Sequence, residues 1–240
     1  MCTVVVRWAR GRPILLLALR DESTDRPFDE PGQWWPDQPG VIGGRDRQAG
    51  GTWCATDVAT GATALVLNRA PRSAAGPTAA SRGVLPLLVV GHGACWPAHL
   101  HPAGMAGFTL LLATRSELTL WEFDGVALRT TPLPAGTHML TAGPAEEGRA
   151  ARHLPAFRAA PSVEHWQAIV TGSVPTDDPS SLLVRHETPH GTYATVFAQV
   201  LETRPGLASA RYSRDPSTAA TWSHHEWPRS GSEPAVVRRR

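Results

Sequence analysis

Two short apolar runs at the start of the chain constrain its fold most. Thr3-Val4-Val5-Val6 is rich in β-branched residues, and Ile14 to Leu19 follows after Gly11-Arg12-Pro13. Branched side chains favour extended backbone, and two such runs joined by a Gly/Pro turn read as a β-hairpin. Pairing brings Cys2 level with the end of the second strand, where Arg20 and Asp21 stand. Removal of Met1, which a small second residue permits, would leave Cys2 carrying both a thiol and a free α-amine. An amine titrates near pH ~8 and a thiol near ~8.5, so one residue would supply a nucleophile and its base. Arg20 would favour the thiolate and Asp21 would hold the amine.

Further along, residues 23 to 52 are rich in Asp, Pro, Gly and Gln and read as an extended loop carrying Trp34-Trp35. That pair either lines an acyl or ring pocket or anchors the loop to the core, and the two roles are compatible. Strand signals return at Thr52 to Val58 and Ala62 to Leu67, ending on Asn68-Arg69. Val84 to Val90, with Pro86 near its start and Gly91 after it, permits either a helix or a short strand. Phe108 to Thr114, Leu118 to Phe123, Val126 to Thr131 and His138 to Thr141 read as an antiparallel meander. Ala145 to Phe157 and Ser162 to Thr171 fit surface helices, the second with Ser162 as N-cap. Leu182 to Arg185 and Thr192 to Glu202 complete the strands.

The set Cys2, Leu19-Arg20-Asp21-Glu22 with Arg26-Pro27, Gly43-Gly44-Arg45-Asp46 and Gly50-Gly51-Thr52-Trp53 resembles the NRDE family. That family is also called the transport and Golgi organisation protein 2 family. Its members are similar to N-terminal-nucleophile hydrolases of the bile salt hydrolase and penicillin V acylase type. The resemblance runs to about Tyr212 and implies an α+β fold, an αββα sandwich of two stacked antiparallel sheets flanked by helices, with Val84 to Val90 as helix. It also implies a cysteine hydrolase acting on an amide, or a thioester, of a small acylated molecule. Cys2 would attack, Arg20 tune the thiol, Asp21 orient the amine and Asn68 hold the oxyanion. Thr52, Trp53 and His190, with Trp34 and Trp35, are the expected substrate contacts, although His190 also reads as an exposed turn residue. Two positions depart from the family pattern: Leu19 stands where Asn is usual, and Thr141-Ala142 replaces a Ser-Asn pair. These departures leave open a second reading, a non-catalytic protein on the same fold that handles haem or a lipid.

Length and composition bound the remaining possibilities. With 240 residues, 42% hydrophobic and 18% charged, the chain suits one globular domain over 1–212 and a polar tail over 213–240. Every one of the 23 basic residues is Arg, net charge is +2, and the arginines are scattered except at the end, which argues against a nucleic-acid surface. Three cysteines do not make a disulfide framework, so Cys54 and Cys95 read as small packed residues in a reducing, cytoplasmic setting. The N-terminal apolar run is broken by Arg7, Arg10 and Arg12, so no leader is expected. No run reaches the ~20 apolar residues of a spanning helix, so no stable membrane insertion is expected either. His92, Cys95, His99 and His101 cluster, but their spacing matches no closed zinc pattern and reads as a solvated loop. No metal or cofactor is expected, with haem only as the alternative ligand. The partner is a small-molecule acyl substrate or a hydrophobic ligand.

Overall fold

The structure is a computed structural model describing residues 2–69, 81–102, 104–141 and 148–229. Fourteen described strands make two antiparallel sheets. β1 (Thr3–Trp8), β2 (Ile14–Ser23), β10 (Gly136–Leu140), β11 (Arg185–Thr188), β12 (Gly191–Arg204), β13 (Leu207–Ser213) and β14 (Ser223–Pro228) form the first. Its order is β10-β1-β2-β12-β13-β14, with β11 also on β12. β3 (Phe28–Gly32), β4 (Val41–Asp46), β5 (Cys54–Asp57), β6 (Thr63–Asn68), β7 (Phe108–Ala113), β8 (Leu118–Phe123) and β9 (Leu128–Pro132) form the second, in chain order.

Continuous apolar strands such as Val4-Val5-Val6 and Ile14 to Leu19 arise because both faces of each sheet are covered. Val4, Val6, Leu16 and Ala18 point between the sheets onto Leu65, Leu67, Leu111 and Phe197. Val5, Leu15, Leu17 and Leu19 point outward onto α2 (Arg149–Ala159) and α3 (Val163–Thr171), where Phe157 and Trp166 are fully buried. On the far side, Ala64, Leu110 and Leu112 meet Leu85 and Val89 of α1 (Val84–His92) and Trp96 beyond it. The architecture is therefore helix, sheet, sheet, helix, an αββα sandwich of the α+β class. Pro86 is accommodated because the first helical turn has no intrahelical use for its missing N–H.

Several expectations need correcting. Residues 23 to 52 are not one loop: β3 and β4 lie within them, held by hydrogen bonding between strands that the Asp/Pro/Gly-rich composition conceals. The meander ends at β9, because β10 crosses to the other sheet and pairs with β1 (Val5 opposite Met139). β11 starts at Arg185, so Leu182 and Leu183 are buried core residues preceding it. Ser162 makes no cap bond; its hydroxyl donates to Glu164 Oε2 at 2.7 Å instead. The residues after 212 continue the sheet, with β14 running antiparallel to β13 as far as Pro228. Ala142 and residues 145–147 of the first expected surface helix lie outside the described residues.

Candidate functional site

The β1–β2 register sets the site. Thr3 is opposite Leu19, so the next rung places Cys2 beside Arg20, and Cys2 Sγ lies 4.0 Å from the Asp21 carbonyl oxygen. β12 flanks β2 on its other side and bulges between Thr195 and Phe197, next to Asp21. Bulges re-aim side chains, and here the Thr195 hydroxyl donates to Asp21 Oδ1 at 2.7 Å. Arg149 Nη1, from α2, donates to Asp21 Oδ2 at 2.9 Å and to Thr3 Oγ1 at 2.5 Å. The Tyr193 hydroxyl donates to the Asp21 carbonyl at 2.6 Å. Burial holds the Asp21 carboxyl above its ordinary range, although Arg149 and the Thr195 hydrogen bond pull it down. Both carboxylate oxygens thus already have protein partners, and Asp21 is a buried anchor as well as a neighbour of Cys2.

A second ion network lies beside the first. Asp46 Oδ2 accepts from Arg20 Nη2 at 3.0 Å and from Arg26 Nε at 2.6 Å, while its Oδ1 accepts the Gln48 and Ala49 backbone N–H. Burial of Asp46 opposes its charge, but the Arg26 hydrogen bond, the Ala49 N–H and Arg20 outweigh it and hold the carboxyl below its ordinary range. Arg20 is 4% exposed and lies over the rings of Phe28 and Trp53, 5.0 and 4.7 Å from their centroids. Trp53 can sit there because residue 44 is Gly: a Cβ would come within 2.4 Å of the indole.

These elements enclose a cleft of about 210 Å³ lined by Cys2, Arg20, Asp21, Thr52, Trp53 and Asn68. Six expected site residues therefore converge from four strands or strand ends. Asn68, at the exposed end of β6, has no hydrogen-bond partner for its side chain among the described residues, leaving its amide N–H available to the cleft. Trp34, Trp35 and His190 do not line it. Trp34 Nε1 donates to the Glu30 carbonyl and Trp35 Nε1 to the Gly50 carbonyl, so the pair anchors the β3–β4 connection. His190 is exposed in the β11–β12 turn.

Sequence reasoning gave no role to Asp46, Arg82, Arg149, Tyr193 or Thr195. Asp46 had a signal, its place in Gly-Gly-Arg-Asp. Arg149 had none, because it meets Asp21 across 128 residues of chain.

The expected activation of Cys2 by Arg20 meets an opposing effect. Burial, then Asp21, push the Cys2 thiol up, while the Asp21 backbone and Arg20 pull it down less strongly. Cys54 is more extreme: burial pushes it up to about 12 against a Gln199 hydrogen bond, as suits an inert packed thiol. Cys95 is exposed, contrary to its expected packing. His92 and His99 stack with ring centroids 3.7 Å apart, and no group of three or more metal-ligating side chains converges among the described residues. A cavity of about 300 Å³ lies at the other ends of these strands, lined by turn residues including Arg12, Arg115 and Arg204.

A family model described as Transport and Golgi organisation 2 matches residues 1–148. No curated protein matches the chain. Among solved structures, the N-acylethanolamine-hydrolyzing acid amidase (NAAA) ortholog of Caenorhabditis elegans is similar at a TM-score of 0.49 and 10% identity, over 95% of this chain and 99% of that one.

Proposed function

Because the chain belongs to the Transport and Golgi organisation 2 family, and because its cleft gathers the residues that an N-terminal nucleophile needs, we propose that it is a cysteine hydrolase of a small acylated amide or thioester. The observation carrying this reading is the convergence of Cys2, Arg20, Asp21 and Asn68 on one cleft. After removal of Met1, the α-amine of Cys2 accepts the thiol proton and Sγ attacks the carbonyl carbon. The Asn68 amide donates to the resulting oxyanion, a stabilisation of about 3–4 kcal/mol when the donor is preorganised. The amine then returns its proton to the leaving group as the C–N bond breaks, leaving an acyl thioester on Cys2. Water attacks that thioester with the amine again as base, and carboxylic acid and free thiol are released. Arg20, fixed by Asp46 and two aromatic faces, lowers the energy of the thiolate. Asp21, fixed by Arg149 and Thr195, sets the amine's position.

Intact mass after brief treatment with a thiol-reactive electrophile tests the reading, comparing wild type with Cys2→Ser, Cys54→Ser and Cys95→Ser. The expected result is a Met1-free protein in which Cys2 labels faster than exposed Cys95, and acyl-amide turnover that Cys2→Ser abolishes while the melting temperature holds. Retention of Met1, or Cys2 labelling no faster than Cys95, sinks it. One observation favours the ligand-carrying alternative: burial holds the Cys2 thiol above its ordinary value. A haem Soret band surviving Cys2→Ala would support carriage.

A further inference from the structure

We infer that the cleft selects a substrate bearing a carboxylate- or phosphate-type anion beside its scissile carbonyl, and that Arg82 is the residue that binds it. The substrate part rests on the hydrolase reading; the anion site does not. Each carboxylate lining the cleft is already engaged: Asp21 by Arg149 and Thr195, and Asp46 by Arg20 and Arg26. Glu22 Oε1 takes the Ser23 N–H, and Oε2 lies 3.8 Å from both Arg20 and Arg26. Arg82 also lines the cleft, half-buried, and has no carboxylate partner among the described residues; Nη1 donates only to the Gly107 carbonyl at 3.1 Å. Among the described residues its remaining guanidinium donors have no hydrogen-bond partner. Burial works against its charge, and the groups that favour that charge are Cys2 and Glu22, which places the guanidinium within electrostatic reach of the nucleophile. Arg20 Nη1, buried and without a partner, is a second unsatisfied cationic donor on a cleft-lining residue.

The position of Arg82 is built into the backbone. Thr52 N–H donates to the Gly83 carbonyl at 2.9 Å, and a Cβ on Gly51 would lie 2.5 Å from that carbonyl. The two glycines press the entrance of α1 against the strand that presents Thr52 and Trp53. A half-buried guanidinium held on rigid backbone, short of one counter-charge, is a preorganised anion site.

Two probe pairs test this. N-butanoylglycine against N-butanoylglycinamide puts the charge on the amine side, and N-propylsuccinamic acid against N-propylsuccinamide puts it on the acyl side. The expected result is a preference for the anionic member of one pair of roughly tenfold to a hundredfold in kcat/KM, as a charge-assisted hydrogen bond provides. Arg82→Gln should erase the preference and Arg82→Lys should keep part of it. Calorimetric binding of the same probes to the Cys2→Ala protein separates the two readings. If nothing is hydrolysed but an anionic probe still binds better than its neutral twin in an Arg82-dependent way, the hydrolase reading falls and the anion site stands. Equal handling of both members in both pairs, an unchanged preference in Arg82→Gln, or no binding of any anionic probe overturns the inference.

Discussion

The two ends of the sandwich each hold a cavity, and they are built from opposite materials. At the Cys2 end, about 210 Å³ is walled by strand residues carrying desolvated charges in fixed pairs. At the other end, the larger space of about 300 Å³ is bounded by turns, and Arg12, Arg115 and Arg204 there are all exposed without ion-pair partners among the described residues. Size therefore does not mark the site. What marks it is that the fold has accepted the cost of burying ions around Cys2, a cost offset by geometry in the Asp21–Arg149 and Asp46–Arg20 pairs and left open at Arg82. The arginines at the turn end remain hydrated and require nothing of the fold.

That contrast can be broken by mutation. Removing Arg149 strands the Asp21 carboxylate, with both partners of that pair at most 4% exposed at the side chain, so Arg149→Ala should lose about 3–5 kcal/mol in urea unfolding. A loss under 1 kcal/mol would mean that the cluster is not a buried ion pair in solution. If Asn68 holds the oxyanion as proposed, Asn68→Ala should lower kcat by about 10²–10³, with little change in stability because the residue is an exposed strand end. Unchanged kcat would remove the oxyanion role.

A smaller effect is expected at Asp46, whose carboxyl is depressed in the fold. Its contribution is present above the unfolded value of ~3.9 and is lost as pH falls through the folded one. Asp46→Asn should therefore be less stable than wild type near neutrality by about 1.5–3 kcal/mol, the gap narrowing below pH ~4. A gap that stays constant with pH would exclude charge as its source. The smallest change belongs to the turn end, where Arg115→Ala should shift stability by no more than about 0.5 kcal/mol.

The legible parts of this chain were those whose physics is local or repeats along the strand. The N-terminal hairpin declared itself through branched residues around a Gly/Pro turn, and the placement of Cys2 beside Arg20 followed from that pairing alone. The helix at Val84 was not settled by its residues, since Pro86 and Gly91 also permit a short strand, and the family resemblance decided it. β3 and β4 were not legible, because their residues are chosen for close approach: Gly44 makes room for Trp53, and Asp29 holds Arg45 and Arg47. β14 escaped because an edge strand that is exposed along most of its length carries His, Ser and Glu instead of an apolar alternation. Arg149 escaped for a different reason, since no local pattern encodes a partner that folding brings from α2. Of the two readings open for Trp34 and Trp35, the geometry carries the anchor: both indole N–H groups pin the β3–β4 connection, and neither ring lines the cleft.

The contact between Gly51 and Gly83 has a practical meaning for anyone reshaping this protein. It behaves as a fixed joint on the Gly51 side, where a Cβ would lie 2.5 Å from the Gly83 backbone, so a library that randomises Gly51 would lose clones to that clash. Diversity belongs instead at Ala49, Val66 and Ala106, small cleft-lining positions where added bulk changes what fits without moving the frame.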